Sequence, residues 1–243
     1  MEKTSLAHNT RARISVNVQL REYFIKVYRY MSWGLVLSAL CAFVGAHQPI
    51  LGWLYSVNVE GMATLSLLGW IVLLAPFALV FKLQSDVRSL KPTSAMWTFG
   101  IFAALMGLSL SSIFLVYAPG TIFTTFLICA VMFGSLSLYG QTTQRDLTSL
   151  GSILGMGVWG LLLAILINIF MKSAALDFAI SLIGVGIFTG LVAYDTQRIR
   201  HLYDQSSSKQ ELSAVAIMAA LTLYLDFVNL FLFLLRLFAR PRR

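Results

Sequence analysis

The chain alternates long apolar runs with short polar breaks. Runs near 20 residues, about the length that crosses the hydrocarbon core of a bilayer, fall at 31–51, 62–82, 95–117, 121–140, 151–171, 178–198 and 214–238. They show no sustained polar–apolar alternation, whereas a membrane barrel would show alternating segments of about ten residues. Helices are therefore predicted. Turn chemistry marks the breaks: HQP closes the first run, KP opens the third and APG divides the third from the fourth. No connection is long enough to separate folding units. The pattern predicts one all-α integral membrane domain of seven spans, residues 31–238, between basic tails at 1–30 and 239–243. With no small-residue cleavage site before a mature domain, the first run is expected to stay as a span. The one internal echo, GLSLSS at 107–112 against GSLSLYG at 134–140, is too short for a repeat.

Composition narrows the class. Hydrophobic residues make up 58% of the chain and charged residues 12%, and the mean hydropathy is +0.79. A soluble domain carries about twice that charge. Cys41 and Cys129 lie inside apolar runs with no paired spacing and read as packing residues. His8, His47 and His201 are scattered and form no ligand spacing. No polar segment interleaves basic residues with aromatics, so nucleic-acid binding is not expected.

Lys and Arg set the expected orientation. With seven spans and the N-terminus inside, thirteen of the 18 basic residues fall on the cytoplasmic side and five on the other. The N-terminal tail supplies Lys3, Arg11, Arg13, Arg21, Lys26 and Arg29. The basic C-terminus (Arg236, Arg240, Arg242, Arg243) opposes the pattern, so the last helix either crosses or re-enters; its length favours crossing. The +8 net charge is explained mainly by this asymmetry facing an anionic inner leaflet.

Small residues at helix-face spacing predict close packing. Gly151 with Gly155 and Gly186 with Gly190 form two GxxxG pairs, and Gly100 and Gly107 lie seven apart.

The candidate chemistry lies in two aspartates. Eight of the ten acidic residues fall in tails, loops or span ends. Asp195, in GLVAYDTQRIR, and Asp226, well inside the last span, do not. An ionised carboxylate facing lipid costs at least ~2.5–3.5 kcal/mol, so both should face the bundle interior or a water-filled cavity. Thr222, Asp226 and Asn229 share one helical face, and Tyr194 and Thr196 flank Asp195. Sequential spans joined by a short loop are expected to be neighbours, so the two carboxyl groups can meet. Low dielectric and like-charge repulsion disfavour two charges there, and the pair is expected to share a proton and titrate as a unit. The bland alternative is that each carboxylate accepts a hydrogen bond from Thr, Tyr or Lys and locks the packing.

Carboxylate oxygens suit a hard cation such as Ca²⁺, and protons compete for them. A pH-gated cation pathway follows, with Asp195 and Asp226 as sensor, gate and transient Ca²⁺ ligands. Lys82 and Arg88, near the end of the second run, are candidates for a basic latch on the closed state; ordinary topology residues would look the same. No cofactor and no enzymatic activity are expected. An intramembrane aspartyl protease also uses two aspartates, one in a YD context, but GxGD before the second is replaced here by LYLD and the PAL tripeptide is absent. Spans 2–7 hold no histidine for a serine-type protease, and the last span holds no lysine for retinal.

GLVAYDTQRIR (190–200) followed by LYLDFVNLFLFLLRLF (223–238) closely resembles the Bax inhibitor family, the transmembrane Bax-inhibitor-motif proteins. GLSLSSIFLVY (107–117) and SLYGQTTQRDLTSLGSILGMG (137–157) are similar to its bacterial branch. The resemblance spans about residues 20–240. It implies seven helices, six of them around a central seventh, and a pH-sensitive Ca²⁺ leak of the bacterial inner membrane with Asp195 and Asp226 at the gate. It also implies a basic latch in the second span, for which Lys82 is the nearest match. A runner-up follows from the same family: a non-conducting inhibitor of a membrane quality-control protease, docked through the basic N-terminal tail.

Overall fold

A computed structural model describes residues 2–57, 63–85, 92–205 and 209–238, and the side chains within them except those of 2–17, 57, 63, 82–85, 205, 209 and 210. Nine helices and one small hairpin appear among the described residues. In order these are α1 (Glu2–Gly45), α2 (Ile50–Leu54), β1 (Tyr55–Val57), β2 (Ala63–Leu65), α3 (Leu67–Ser85), α4 (Pro92–Ser109), α5 (Ser112–Val116), α6 (Pro119–Thr142), α7 (Thr148–Met171), α8 (Ala174–Gln205) and α9 (Lys209–Phe238). Six helices are long and apolar enough to cross a membrane, and a shorter apolar helix, Leu67–Phe81, joins them.

The apolar runs lead to these helices, with shifted edges. Residues 18–30, which read as tail, are helical, and Tyr23, Phe24 and Val27 are buried. An amphipathic entry buries one face among neighbours while its charges point away, so its average polarity hides the helix. The first span stops at Gly45 rather than continuing to 51. The start of the second run is instead an antiparallel hairpin, with Tyr55 opposite Leu65 and Ser56 opposite Thr64. Pro92 opens α4 and Pro119 opens α6, where the missing N–H costs nothing. The helix from Pro92 breaks at Leu110–Ser111 and resumes as α5. The tail at 239–243 lies outside the described residues.

Side-chain contacts order the bundle. Lys26 Nζ donates to Ser213 Oγ at 2.9 Å, and Ser38 bonds Tyr224 at 2.7 Å, so α1 and α9 run parallel. Gly184 meets Phe233 while Asp195 meets Asp226, so α8 and α9 are antiparallel. Tyr117 lies near both Arg236, close to the end of α9, and Asp177, at the start of α8. Within the described residues α9 therefore runs the length of the bundle without turning back. One end carries Lys26, Arg145, Arg198 and Arg200 and is called the basic end below; α9 finishes at the far end.

The core is built around α9, which packs mainly on α8, α1, α6 and α4. α3 packs chiefly on α4, and α7 on α8, so these two are outer helices rather than close neighbours of α9. Lipid is as apolar as a leucine side chain, so burial drives little association here; close van der Waals fit and polar contacts must do it. The glycines show where. A Cβ on Gly107 would lie 2.3 Å from the Ser38 carbonyl, and one on Gly140 would lie 2.3 Å from that of Ala193. Each marks a near backbone contact, α4 on α1 and α6 on α8. Each GxxxG pair works through one member only. Gly151 receives the Tyr194 ring and Gly190 the Leu154 side chain, whereas Gly155 and Gly186 face open space, as does Gly100.

Candidate functional site

Asp195 on α8 and Asp226 on α9 are both buried, at 8% and 5% exposure. Their carboxyl groups face each other closely enough to interact directly. The antiparallel α8–α9 contact creates this meeting, because two adjoining helices point an acid at the same height of their shared seam. Asp226 Oδ2 is buried and accepts no hydrogen bond. The Asp195 carboxyl group facing Asp226 donates only when protonated.

The flanking polar groups do not relieve this. Thr196 Oγ1 donates to the Val192 carbonyl at 2.7 Å, Thr222 Oγ1 to Met218 at 3.2 Å and Asn229 Nδ2 to Leu225 at 2.9 Å. Each spends this donor on its own helix. The Tyr194 ring packs on Gly151 instead. Among the described residues these three donors therefore go to backbone carbonyls rather than to the acids; the lysine form of the locking alternative, through Lys82, falls on an undescribed side chain. Among the described residues the basic group paired with Asp195 is Arg198, with Nη1 4.0 Å from Oδ1. Arg198 is 61% exposed and Asp195 11% by side chain, so the pair opens toward solvent at the basic end. Of the candidate latch residues, Lys82 is in α3 with its side chain undescribed, and Arg88 lies outside the described residues.

Above and below, the site is enclosed differently. Toward the far end, Phe227 follows Asp226 and sits edge-on to Phe126 and Phe133, with centroids at 5.4 and 5.5 Å. On the α1 side, Tyr224, two residues before Asp226, donates to Ser38 Oγ, which itself donates to the Ala103 carbonyl at 2.7 Å, joining α9, α1 and α4. Beyond lies a cavity of about 110 Å³ lined by Leu35, Ile122, Phe126, Phe227, Val228 and Phe231 among others. Toward the basic end the seam is polar. Gln141 Nε2 donates to Tyr28 Oη at 2.8 Å, Tyr28 bonds Ser137, and Ser137 bonds Thr196 at 3.0 Å. Only one direction uses every proton: Gln141 to Tyr28 to Ser137 to Thr196 to Val192. Beside it, buried Gln197 accepts from Leu147 N at 2.9 Å and donates to the Arg145 carbonyl at 2.7 Å, fastening the α6–α7 turn to α8.

Sequence reasoning missed Tyr28, Ser38, Ser137, Gln141 and Gln197. Nothing in the pattern marks them, since serine, tyrosine and glutamine are common near span ends. As for a metal, no group of three or more His, Cys, Asp or Glu is placed to hold one among the described residues. Two carboxyl groups supply only part of the roughly six to eight oxygens that Ca²⁺ takes. A cation here would draw the rest from water or carbonyl groups, which suits an ion in transit better than a resident one.

A family model described as "Inhibitor of apoptosis-promoting Bax1" matches residues 20–243. The chain is 42% identical over 225 residues to the inner membrane protein YbhL of Escherichia coli (strain K12), covering 92% of this chain and 93% of that one. It is 40% identical over 224 residues to an uncharacterized protein of Rickettsia prowazekii (strain Madrid E), covering 92% and 91%. Over 234 residues it is 40% identical to an uncharacterized protein of Caulobacter vibrioides, covering 96% and 94%. With the apolar bundle, the YDTQ and LYLD elements on adjoining helices and the match over nearly the whole chain, this protein belongs to the Bax inhibitor family.

Proposed function

We propose that the protein is a pH-sensitive, Ca²⁺-permeable leak of the bacterial inner membrane, gated by the Asp195–Asp226 pair. The supporting observation is the buried facing of the two carboxyl groups, with Asp226 Oδ2 left without a donor. With one shared proton, the pair holds α8 against α9. Loss of that proton leaves two like charges in a low-dielectric seam, and the helices part or a cation enters to compensate. Arg198 faces Asp195 from the basic end and offsets its charge once the pair ionises, so it sets the pH at which the gate responds; the latch on the closed state stays with Lys82 or Arg88. The aromatic plug of Phe227, Phe126 and Phe133 closes the far side.

The reading includes the family arrangement, six helices around α9, and an N-terminus on the cytoplasmic side. Support comes from the enclosure of α9, the asymmetry of basic residues and the inner-membrane description of the Escherichia coli relative. Ca²⁺ and protons are the ligands, and the protein has no catalytic role.

The test is Ca²⁺ flux into proteoliposomes across a pH series from about 5 to about 8, wild type beside Asp226→Asn and Asp195→Asn. The proposal expects flux in the wild type that rises with pH and a pH response that is lost in both variants. Arg198→Gln should move the rise in flux to higher pH, because the guanidinium favours the ionised pair, and Arg198→Lys should restore most of the wild-type response. No flux at any pH would remove the channel reading. The alternative would then be the non-conducting inhibitor of a membrane protease, supported if inhibition survived both aspartate substitutions but not loss of residues 1–20.

A further inference from the structure

A cavity of about 650 Å³ opens at the basic end, outside the aspartate seam, where α6 stops, α7 begins and α8 ends. Its volume is within the roughly 300–1,000 Å³ of small-ligand sites. Unlike those sites, it is lined by polar and charged side chains. Arg145, Arg200 and His201 contribute cationic or donor groups, Thr148 a hydroxyl, and Asp146 and Asp204 carboxylates. Among the described residues, Arg145, Arg200, Asp146 and Asp204 form no ion pair, although both signs border the same space. The walls are fixed rather than loose. Gln197 holds the Arg145–Leu147 backbone from α8, Arg200 Nη1 donates to the Gln141 carbonyl at 3.2 Å, and Asp146 Oδ1 accepts from Thr148 N and Oγ1 at 2.9 and 2.6 Å. Opposite charges held apart around a gap are complementary to a ligand that carries both.

We propose that this cavity binds the headgroup of a zwitterionic phospholipid with a primary ammonium, of the phosphoethanolamine class. The phosphate faces Arg145 and Arg200, because guanidinium groups match phosphate oxygens. The ammonium faces Asp204 and the remaining oxygen of Asp146. A primary ammonium offers three donors to these carboxylates. A choline headgroup offers none and is usually held in an aromatic cage, yet no Trp, Tyr or Phe lines the cavity. A lipid is the source because the cavity lies at the ends of membrane helices, level with the headgroups, where acyl chains can run down the exposed faces of α6 and α7 (Leu138 is 61% and Ile153 60% exposed).

The test is native mass spectrometry of the full-length chain released from micelles with equal amounts of phosphatidylethanolamine, phosphatidylcholine and phosphatidylglycerol. The wild type should retain the ethanolamine lipid about tenfold over the choline lipid, the value of one charge-assisted hydrogen bond. Asp204→Asn should abolish that preference, Arg145→Ala and Arg200→Ala should each lower retention of the ethanolamine lipid severalfold, and Arg236→Ala, at the far end, should change neither. If Arg200→Ala does not fold, Arg200→Gln keeps a donor for the Gln141 carbonyl while removing the charge and should lower retention likewise; Arg200→Lys should keep it. Equal retention of ethanolamine and choline lipids overturns the proposal. Equal retention of phosphatidylglycerol overturns the ammonium half. If glycerophosphoethanolamine, without acyl chains, competes as well as the lipid, the ligand is a soluble phosphate and the lipid assignment falls.

Discussion

Helices α7 and α9 are almost equally apolar, yet they live in different surroundings. Within the most apolar stretch of each, 6% of α7 is buried inside the protein against 67% of α9. Hydropathy does not separate them, because lipid and protein interior are equally good solvents for leucine. The polar positions do. α9 carries Tyr224, Asp226 and Asn229 in its middle, and α7 carries no ionisable residue between Thr148 and Met171. A helix with an acid at mid-depth must be surrounded by protein, and one without it can form the outer wall.

Each prediction tests this contrast, beginning with the largest effect. Asp226→Leu makes α9 as uniformly apolar as α7. Flux in liposomes should lose its pH response by roughly tenfold or more, the equivalent of about 1.4 kcal/mol, while the chain still inserts. An unchanged response would show that the acid does not distinguish α9. Next comes packing. Gly140→Leu drives a side chain into the Ala193 carbonyl and should cost about 3 kcal/mol or more, read as a lower denaturation midpoint in detergent. Gly155→Leu on α7 faces open space and should stay within about 0.5 kcal/mol.

Leucine truncation gives a smaller contrast. Leu230→Ala on α9 removes a fully buried side chain and should cost roughly 2 kcal/mol. Leu163→Ala on α7, 60% exposed, should cost less than about 0.5 kcal/mol. Equal costs would mean that α7 is covered by a partner. The smallest effect is expected at the mouth of α7. Hydrogen bonds from the Thr148 hydroxyl and amide hold the Asp146 carboxyl below its ordinary range. With the folded value depressed, its contribution is present above the unfolded value and lost as pH falls through the folded one. Asp146→Ala should therefore lower the melting temperature slightly near neutral pH, and the difference should vanish in strong acid.

Much of the membrane architecture was legible in the sequence. The apolar runs give the long helices because a bilayer forces every backbone group to bond internally. Pro92 and Pro119 mark two starts, and the isolated acids mark the seam. The hairpin at 55–65 was not legible, since three-residue strands leave no periodic signal. Nor was the early start of α1, whose buried Tyr23, Phe24 and Val27 are diluted by Arg21, Glu22 and Lys26. The GxxxG pattern was half informative: it named four glycines, and packing uses Gly151 and Gly190.

The sequence by itself determined that the chain lives in a membrane as helices and that Asp195 and Asp226 face inward, because solvation energy acts on each residue's own chemistry. Only the tertiary structure decided that the two carboxyl groups face each other, that Thr196, Thr222 and Asn229 turn their donors to their own helices, and that Arg198 is the basic group beside Asp195. Those facts depend on the height and rotation of one helix against another. These are set by close contacts at Gly140, Gly151 and Gly184, a matter of shape that no count of polar and apolar residues contains.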